Sequence, residues 1–297
     1  MPEPVSQKKW SILELITWGT SYLAEKGVDE ARLTIELLLS HVLKLKRIHL
    51  YTNFDRPLID SELAEFKGLL LRRRSREPLQ YILGETEFMG HRIFVDPRVL
   101  IPRPETELLT ERVVSECRNR SGQGNSLRIL EIGTGSGCIA VALAAALPLV
   151  SVTSIDCSAD ALDLAQQNAE FHSLTDRIRF RHQDFLSDST LDEKFDFIIS
   201  NPPYISTQEY ELLDPEVKNF EPKIALADGS DGLTFYKTMA ERGAALLKPG
   251  GKIAVEHAFD QSASVRKIFH DSGWENIEAM KDFSGHDRYV TAEGGSR

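Results

Sequence analysis

Four consecutive residues, Asn201-Pro202-Pro203-Tyr204, carry the most specific chemistry in the chain. They follow a short apolar run, Phe197-Ile198-Ile199-Ser200, which reads as a strand. Two prolines fix φ and remove two N–H donors, so the segment is held extended with carbonyls free to accept. The Asn201 side chain and the Pro202 carbonyl then offer two acceptors to one planar –NH2 group. Tyr204 supplies a flat wall against which a planar amide or base can be sandwiched. A plain turn is the alternative, and the position at the end of a strand argues against it.

A second cluster lies upstream, where Leu130-Glu131-Ile132-Gly133-Thr134-Gly135-Ser136-Gly137 runs from a strand into a helix. Glycines let the backbone turn tightly and approach a ligand closely. The run departs from GxGxxG by ending one residue early, and no Lys follows, so it is not a phosphate-cradling loop. Asp156, 19 residues beyond Gly137, stands at the end of the next strand, where a carboxylate can accept both hydroxyls of a ribose. A tight βα turn and a helix cap are the plainer readings of the two parts. Their spacing points instead to a nucleoside-type ligand. Glu131 and an acidic surround suit a cationic ligand better than a pyrophosphate. Asp184 can accept from an exocyclic amine. Phe185 is either a stacking face for a purine or an ordinary core ring.

Other reactive residue types read as structural. His257 and His286 are isolated, without metal-ligand spacing, so no metal is expected. Cys138 and Cys157 flank the same turns, where small apolar packing is the simpler role. Ser136 sits in no nucleophile elbow. The basic cluster Arg72, Arg73, Arg74 and Arg76 can touch a polyanion, but cations at a helix C-terminus explain it more simply.

The elements needed to position these groups are legible in the periodicity. Ile12, Leu15, Ile16, Gly19 and Leu23 share one helical face. A second helix includes the run Ala31 to Leu39, and a third spans Ser61 to Arg74 with Asp60 or Ser61 as its cap. Glu87 to Leu100 reads as a short β-hairpin turning at Gly90. A helix from Glu105 to Arg118 precedes a polar loop, Arg118–Asn125. Strands then follow at Arg128–Ile132, Val152–Ile155, Ile178–Arg181, Phe195–Ser200 and Lys252–His257. Helices at Cys138–Ala146, Ala159–Phe171 and Leu233–Leu247 alternate with them. Such alternation predicts an α/β fold with a mostly parallel, Rossmann-like sheet. Runs at Ile277–Met280 and Tyr289–Thr291 close it with an antiparallel last strand, before a polar tail, Glu293–Arg297. The expected organisation is a helical domain over 1–84, a hairpin linker over 85–101 and a catalytic domain over 102–297.

Composition sets outer limits. The chain has 297 residues, 27% charged and 41% hydrophobic, enough for two domains with their own cores. Three cysteines without a CxxC pair fit a reducing cytoplasm rather than a disulfide framework. No apolar run approaches the roughly 18 residues of a membrane span. Residues 1–90 hold 13 Lys+Arg and 13 Asp+Glu, so the net charge of −10 (35 against 45) lies wholly downstream. That balance argues against a protein that coats nucleic acid.

From about Arg103 onward the chain resembles class I S-adenosylmethionine-dependent methyltransferases that act on amino groups. More narrowly, the whole chain resembles the release-factor glutamine methyltransferases, the PrmC/HemK family. The segments that carry this are Pro78-Leu79-Gln80-Tyr81-Ile82-Leu83-Gly84, Leu100-Ile101-Pro102-Arg103-Pro104-Glu105-Thr106-Glu107, Gly133–Gly137 and Asn201-Pro202-Pro203-Tyr204-Ile205. Asn-Pro-Pro-Tyr also marks DNA adenine and rRNA guanine methyltransferases; the segment around Arg103 and the helical front are the specific parts.

The resemblance implies that Gly133, Thr134, Gly135, Ser136 and Gly137 line an S-adenosyl-L-methionine site, which would release S-adenosyl-L-homocysteine. It implies that Asp156 takes the ribose, with Asp184, Phe185 and Asn201 completing the cofactor site; Phe185 stands where the family often has Trp. Asn201, Pro202, Pro203 and Tyr204 would hold a glutamine of a class 1 peptide chain release factor, with Asn201, Pro202 and Tyr204 catalytic. The front bundle would dock that protein in the cytoplasm, without nucleic acid or membrane, and a monomer is expected. Methylation of a nucleic-acid base amine and a non-catalytic nucleoside-binding role are the competing functions.

Overall fold

The computed structural model describes residues 9–121, 126–188 and 191–295. The chain forms two compact units, divided between Gly84 and Glu85. In the first unit, helices α1 (Ile12–Glu25), α2 (Ala31–Leu43), α3 (Arg47–Thr52), α4 (Asp60–Arg74) and α5 (Leu79–Leu83) surround one apolar core. The buried face of α1 is Ile12, Leu15, Ile16, Gly19 and Leu23, as its spacing predicts. Ser11 and Glu14 cap it reciprocally, with Glu14 N–H donating to Ser11 Oγ and Ser11 N–H to Glu14 Oε2. A Cβ on Gly19 would stand 2.8 Å from Ile35 Cδ1, so the glycine permits the close approach of α1 and α2.

One expectation for this unit needs correction. The cap of α4 is Ile59, not Asp60 or Ser61, because the Glu62 carboxylate reaches back to the Ile59 N–H at 3.0 Å. The basic end of α4 is also internally engaged. Arg72 forks onto Glu77 at 2.8 and 2.5 Å, buried Arg73 donates to the Glu77 carbonyl, and Arg74 donates to the Tyr22 hydroxyl.

The second unit opens with a hairpin of β1 (Glu85–Phe88) and β2 (His91–Phe94), shorter than expected. Its turn, Met89-Gly90, has positive φ at both residues, which ends the pairing there. Helix α6 (Pro104–Ser121) continues past Arg118 into the expected loop; residues 122–125 lie outside the described ones. Then follow β3 (Leu127–Ile132), α7 (Cys138–Ala146), β4 (Val150–Asp156), α8 (Ala159–Phe171), β5 (Ile178–His182) and β6 (Phe195–Ser200). Three short helices that periodicity did not predict come next: α9 (Thr207–Tyr210), α10 (Pro215–Phe220) and α11 (Lys223–Leu226).

Helix α12 (Thr234–Arg242) ends earlier than expected. A 3-10 turn over Gly243–Leu246 leads directly into β7 (Leu247–Glu256), because Pro249-Gly250-Gly251 cannot prolong a helix. Helix α13 (Ser262–Asp271), β8 (Glu275–Lys281) and β9 (Asp287–Glu293) complete the unit, and β9 takes up the first residue of the expected tail.

The seven strands run in the order β5-β4-β3-β6-β7-β9-β8. The first five are parallel, and β9 lies antiparallel between β7 and β8. The central strands β3 and β6 are buried along most of their length, which is why they read as continuous apolar runs. Strand order reverses beside β3, so the carboxyl ends of β3, β4 and β6 converge on one crevice. No helix among the described residues is long and apolar enough to cross a membrane.

Candidate active site

One wall of that crevice is backbone. Gly133, Gly135 and Gly137 have φ of +82°, +53° and +76°, the left-handed region that glycine enters freely. A Cβ on Gly137 would sit 2.9 Å from the Ala165 Cβ, so only glycine lets α7 begin this close to α8. The N–H groups of Gly133 and Thr134 donate to the Ile155 carbonyl at 2.9 and 3.2 Å. Asp156, ending β4, accepts from the N–H of Gly135 and of Ser158, both at 2.9 Å. Burial raises its pKa, and these hydrogen bonds oppose the rise. Asp156 therefore shapes the glycine turn as well as facing the cleft.

Asn168 of α8 secures the same wall from behind. Fully buried, it accepts from Phe94 N–H at 2.7 Å and donates to the carbonyls of Phe94 and Ser136 at 3.0 and 2.9 Å. Glu131 has a different place from the one expected of it. It does not line the cleft but lies buried beneath the turn, accepting from Ser154 Oγ, which also bonds Thr134 Oγ1. Burial pushes its pKa up to about 8, with the Ser154 bond opposing. The cleft's negative charge comes instead from Asp156 and Asp184.

Asp184, beyond β5, is exposed on the cleft and accepts the Leu186 N–H at 3.0 Å. The Phe185 ring belongs to the buried core and also lines the cleft. Cys138 is buried, and burial pushes its thiol up to about 12. Cys157 departs from the packing role expected for it: it is exposed at the cleft, its thiol also raised by partial burial. His257 is fully buried with Nδ1 on the Ala258 carbonyl at 2.7 Å, and burial lowers its pKa. Neither His257 nor His286 belongs to a metal-binding group among the described residues.

The opposite wall is made of side chains. Ser200, closing β6, donates to the Ile132 carbonyl at 2.7 Å and ties the two strand ends together. Asn201 Nδ2 donates to Thr106 Oγ1 at 3.0 Å, and Thr106 Oγ1 donates to Glu256 Oε2 at 2.7 Å. Burial pushes Glu256 up to about 7, against its bond from Thr106. Glu221 accepts from Ile101 N–H at 3.1 Å and pairs with Arg103 at 2.5 Å, anchoring the chain that leads into α6.

Asn201 and Pro203 line the cleft; Pro202 and Tyr204 are not among its lining residues. Pro202 is buried, and Tyr204 packs against the core, where burial raises its phenol well above the usual value. The Tyr204 carbonyl accepts from Gln261 Nε2 at 2.8 Å. Gly232, with φ of +79°, passes so close that a Cβ there would stand 2.4 Å from that carbonyl.

Between the walls lies an open cleft, with Thr134, Ser136, Asp156, Phe185 and Asn201 on its surface. Its mixed apolar and polar lining suits a nucleoside-type ligand. The Ser136 side chain lies on this cleft beside the Cys138 thiol. Sequence reasoning quoted Thr106 and Arg103 without giving them a role, and overlooked Asn168, Glu221 and Glu256. A carboxylate ending the apolar run Ile253-Ala254-Val255 was the available signal for Glu256.

Comparison with known proteins is consistent with this geometry. Residues 14–84 match the family described as the PrmC N-terminal domain, and residues 105–214 match the methyltransferase small domain. A release factor glutamine methyltransferase of Chlorobaculum tepidum is 43% identical over 292 residues, covering 97% of this chain and 98% of that one. Its counterpart in Geobacter sulfurreducens is 44% identical over 281 residues, covering 95% and 96%. A solved methyltransferase from Pyrococcus furiosus superposes with a TM-score of 0.51 at 19% identity, over 70% of this chain and 91% of that one, and shares its fold. Both units are thus accounted for by near-full-length relatives, and the chain belongs to the family of release factor glutamine methyltransferases.

Proposed function

We propose that this protein transfers a methyl group from S-adenosyl-L-methionine to the side-chain amide nitrogen of a glutamine in a peptide chain release factor. The observation that carries the reading is the shared cleft. Asp156 and the glycine turn occupy one side, and Asn201 the other, within a single cavity. Asp156 would accept from the ribose hydroxyls, while Phe185 and Asp184 would meet the base. Bound there, S-adenosylmethionine supplies an electrophilic methyl group on a sulfonium.

The protein's own task is to make a poor nucleophile react. An amide nitrogen delocalises its lone pair into the carbonyl. Asn201 Oδ1 and the Pro202 carbonyl would accept from the –NH2 group, fix its plane and favour positive charge as it develops on nitrogen. Neutral acceptors suffice, because the proton can leave after the methyl group has arrived. Pro203 and Tyr204 would hold the segment extended and keep those acceptors in place. The helical unit would dock the protein partner, and exposed Leu13 and Trp18 on α1 offer it apolar area. Radiolabelled S-adenosylmethionine offered in parallel to a release factor, DNA and rRNA tests the reading. Label should enter the release factor alone, at glutamine; label in either nucleic acid would overturn it.

A further inference from the structure

Asn201 can serve a glutamine amide in only one of its two orientations. Its Oδ1 accepts from an –NH2 group, whereas its Nδ2 would set donor against donor. We propose that Thr106 and Glu256 are positioning residues that choose this orientation, through a one-way chain of hydrogen bonds from Asn201 to Thr106 to Glu256. The proposal rests on the glutamine-methylating reading above and adds two residues to it.

The number of protons available sets the direction of the chain. A hydroxyl has one proton to give. Ionised, Glu256 can only accept, so Thr106 spends its proton on Oε2 at 2.7 Å. The Thr106 oxygen is then left only to accept, and Asn201 meets it with Nδ2 at 3.0 Å. The amide is thereby locked with Oδ1 away from Thr106. Protonated, Glu256 becomes a donor to Thr106, whose own proton is released toward Asn201. That arrangement favours Oδ1 facing Thr106 and turns Nδ2 toward the substrate.

The surroundings give the chain few alternatives. Thr106 and Glu256 are both buried, so water does not compete for their hydrogen bonds. The groups facing Glu256 are Thr106 and Glu105 from α6, Tyr204 after β6, Tyr236 from α12 and Arg288 from β9, with His257 next along the chain. Burial and Glu105 favour its neutral form; Thr106, Arg288 and Tyr204 favour the ionised one. The balance places its titration at about 7. Activity should therefore decline as pH falls through that value.

The test compares Thr106→Val and Thr106→Ser with the parent enzyme in single-turnover methylation of a release factor at saturating S-adenosylmethionine, across that titration. The valine variant should be slower by about 10- to 100-fold, the usual cost of removing a group that orients a reacting one. It should also lose the acid limb, with cofactor affinity unchanged, and serine should restore rate and limb together. A valine variant that keeps the parent's rate and pH profile would overturn the proposal. So would a serine variant that restores neither. The side-chain amide resonances of Asn201 provide a readout that needs no substrate. They should move with Glu256 ionisation in the parent protein and stop doing so in the valine variant; signals indifferent to pH would refute the chain. A parent enzyme that methylates no release factor would instead refute the substrate reading, leaving the resonances to judge the hydrogen bonds.

Discussion

The two walls of the cleft are built on opposite principles. The Gly133–Gly137 wall is a backbone conformation, held by local turns and by side chains that grip main-chain groups, Asp156 on Gly135 and Asn168 on Ser136. The Asn201 wall is a side-chain arrangement, held by Thr106, 95 residues before Asn201 in sequence, and by Glu256, 150 residues after Thr106. A backbone wall fails through conformation, so its defects should appear as lost stability and lost cofactor binding. A hydrogen-bonded side-chain wall fails through orientation, so its defects should appear in rate while the fold survives.

The largest test of that contrast is Asn168→Ala. It strands the Phe94 N–H and the carbonyls of Phe94 and Ser136. A stranded buried polar group costs roughly 1–3 kcal/mol, so the variant should lose about 3 kcal/mol or more in denaturant unfolding. A loss below about 1 kcal/mol would show that the backbone wall supports itself.

Asp156→Ala comes next. It should weaken S-adenosylmethionine binding by about 1.5–3 kcal/mol, the range for hydrogen bonds involving a charged group. Asp156→Asn sharpens the result by keeping one acceptor for the Gly135 or Ser158 N–H. Calorimetry should find it folded yet still weakened; parent-like affinity would assign Asp156 to the turn alone.

The smallest effect is in pH-dependent stability. Burial raises Glu256 from its ordinary 4.5 to about 7, and Glu131 from 4.5 to about 8. The folded protein thus holds these protons more tightly than the unfolded chain. The stabilising contribution is complete below 4.5 and is lost as pH rises through about 7 for Glu256 and about 8 for Glu131. Unfolding free energy should fall across that window by at most about 1.4 kcal/mol per pH unit for each proton. Glu256→Gln should remove the part centred on Glu256, and an unchanged profile would deny its burial as a neutral acid.

The same contrast explains what was legible in the sequence. Glycines at alternate positions after an apolar strand advertise a turn, and an acidic residue after the next strand advertises its partner. Both are local patterns, and the structure places Gly133–Ser136 and Asp156 on one cleft. The sheet was legible for the same reason, since buried parallel strands read as apolar runs. Asn201 was visible because two prolines follow it. Thr106 and Glu256 were not, because neither has local chemistry until α6 and β7 bring them together. The short helices α9 to α11 escaped because four to six residues are too few to show a period. Glu131 was misplaced by the same limit, since sequence shows a carboxylate beside a loop without showing that it lies beneath it.

Methyl transfer to glutamine would require Asn201 to present an acceptor to the substrate amide. Asn201→Ala, followed by single-turnover methylation of a release factor at saturating S-adenosylmethionine, tests it most directly. Loss of a preorganised electrostatic contact should slow transfer by about 10²–10³-fold, with cofactor affinity retained. Asn201→Asp should also be slow on glutamine, because a charge replaces a neutral acceptor, while cofactor binding is retained or improved. An alanine variant that transfers methyl at near-parent rates would mean that something other than Asn201 holds the amide.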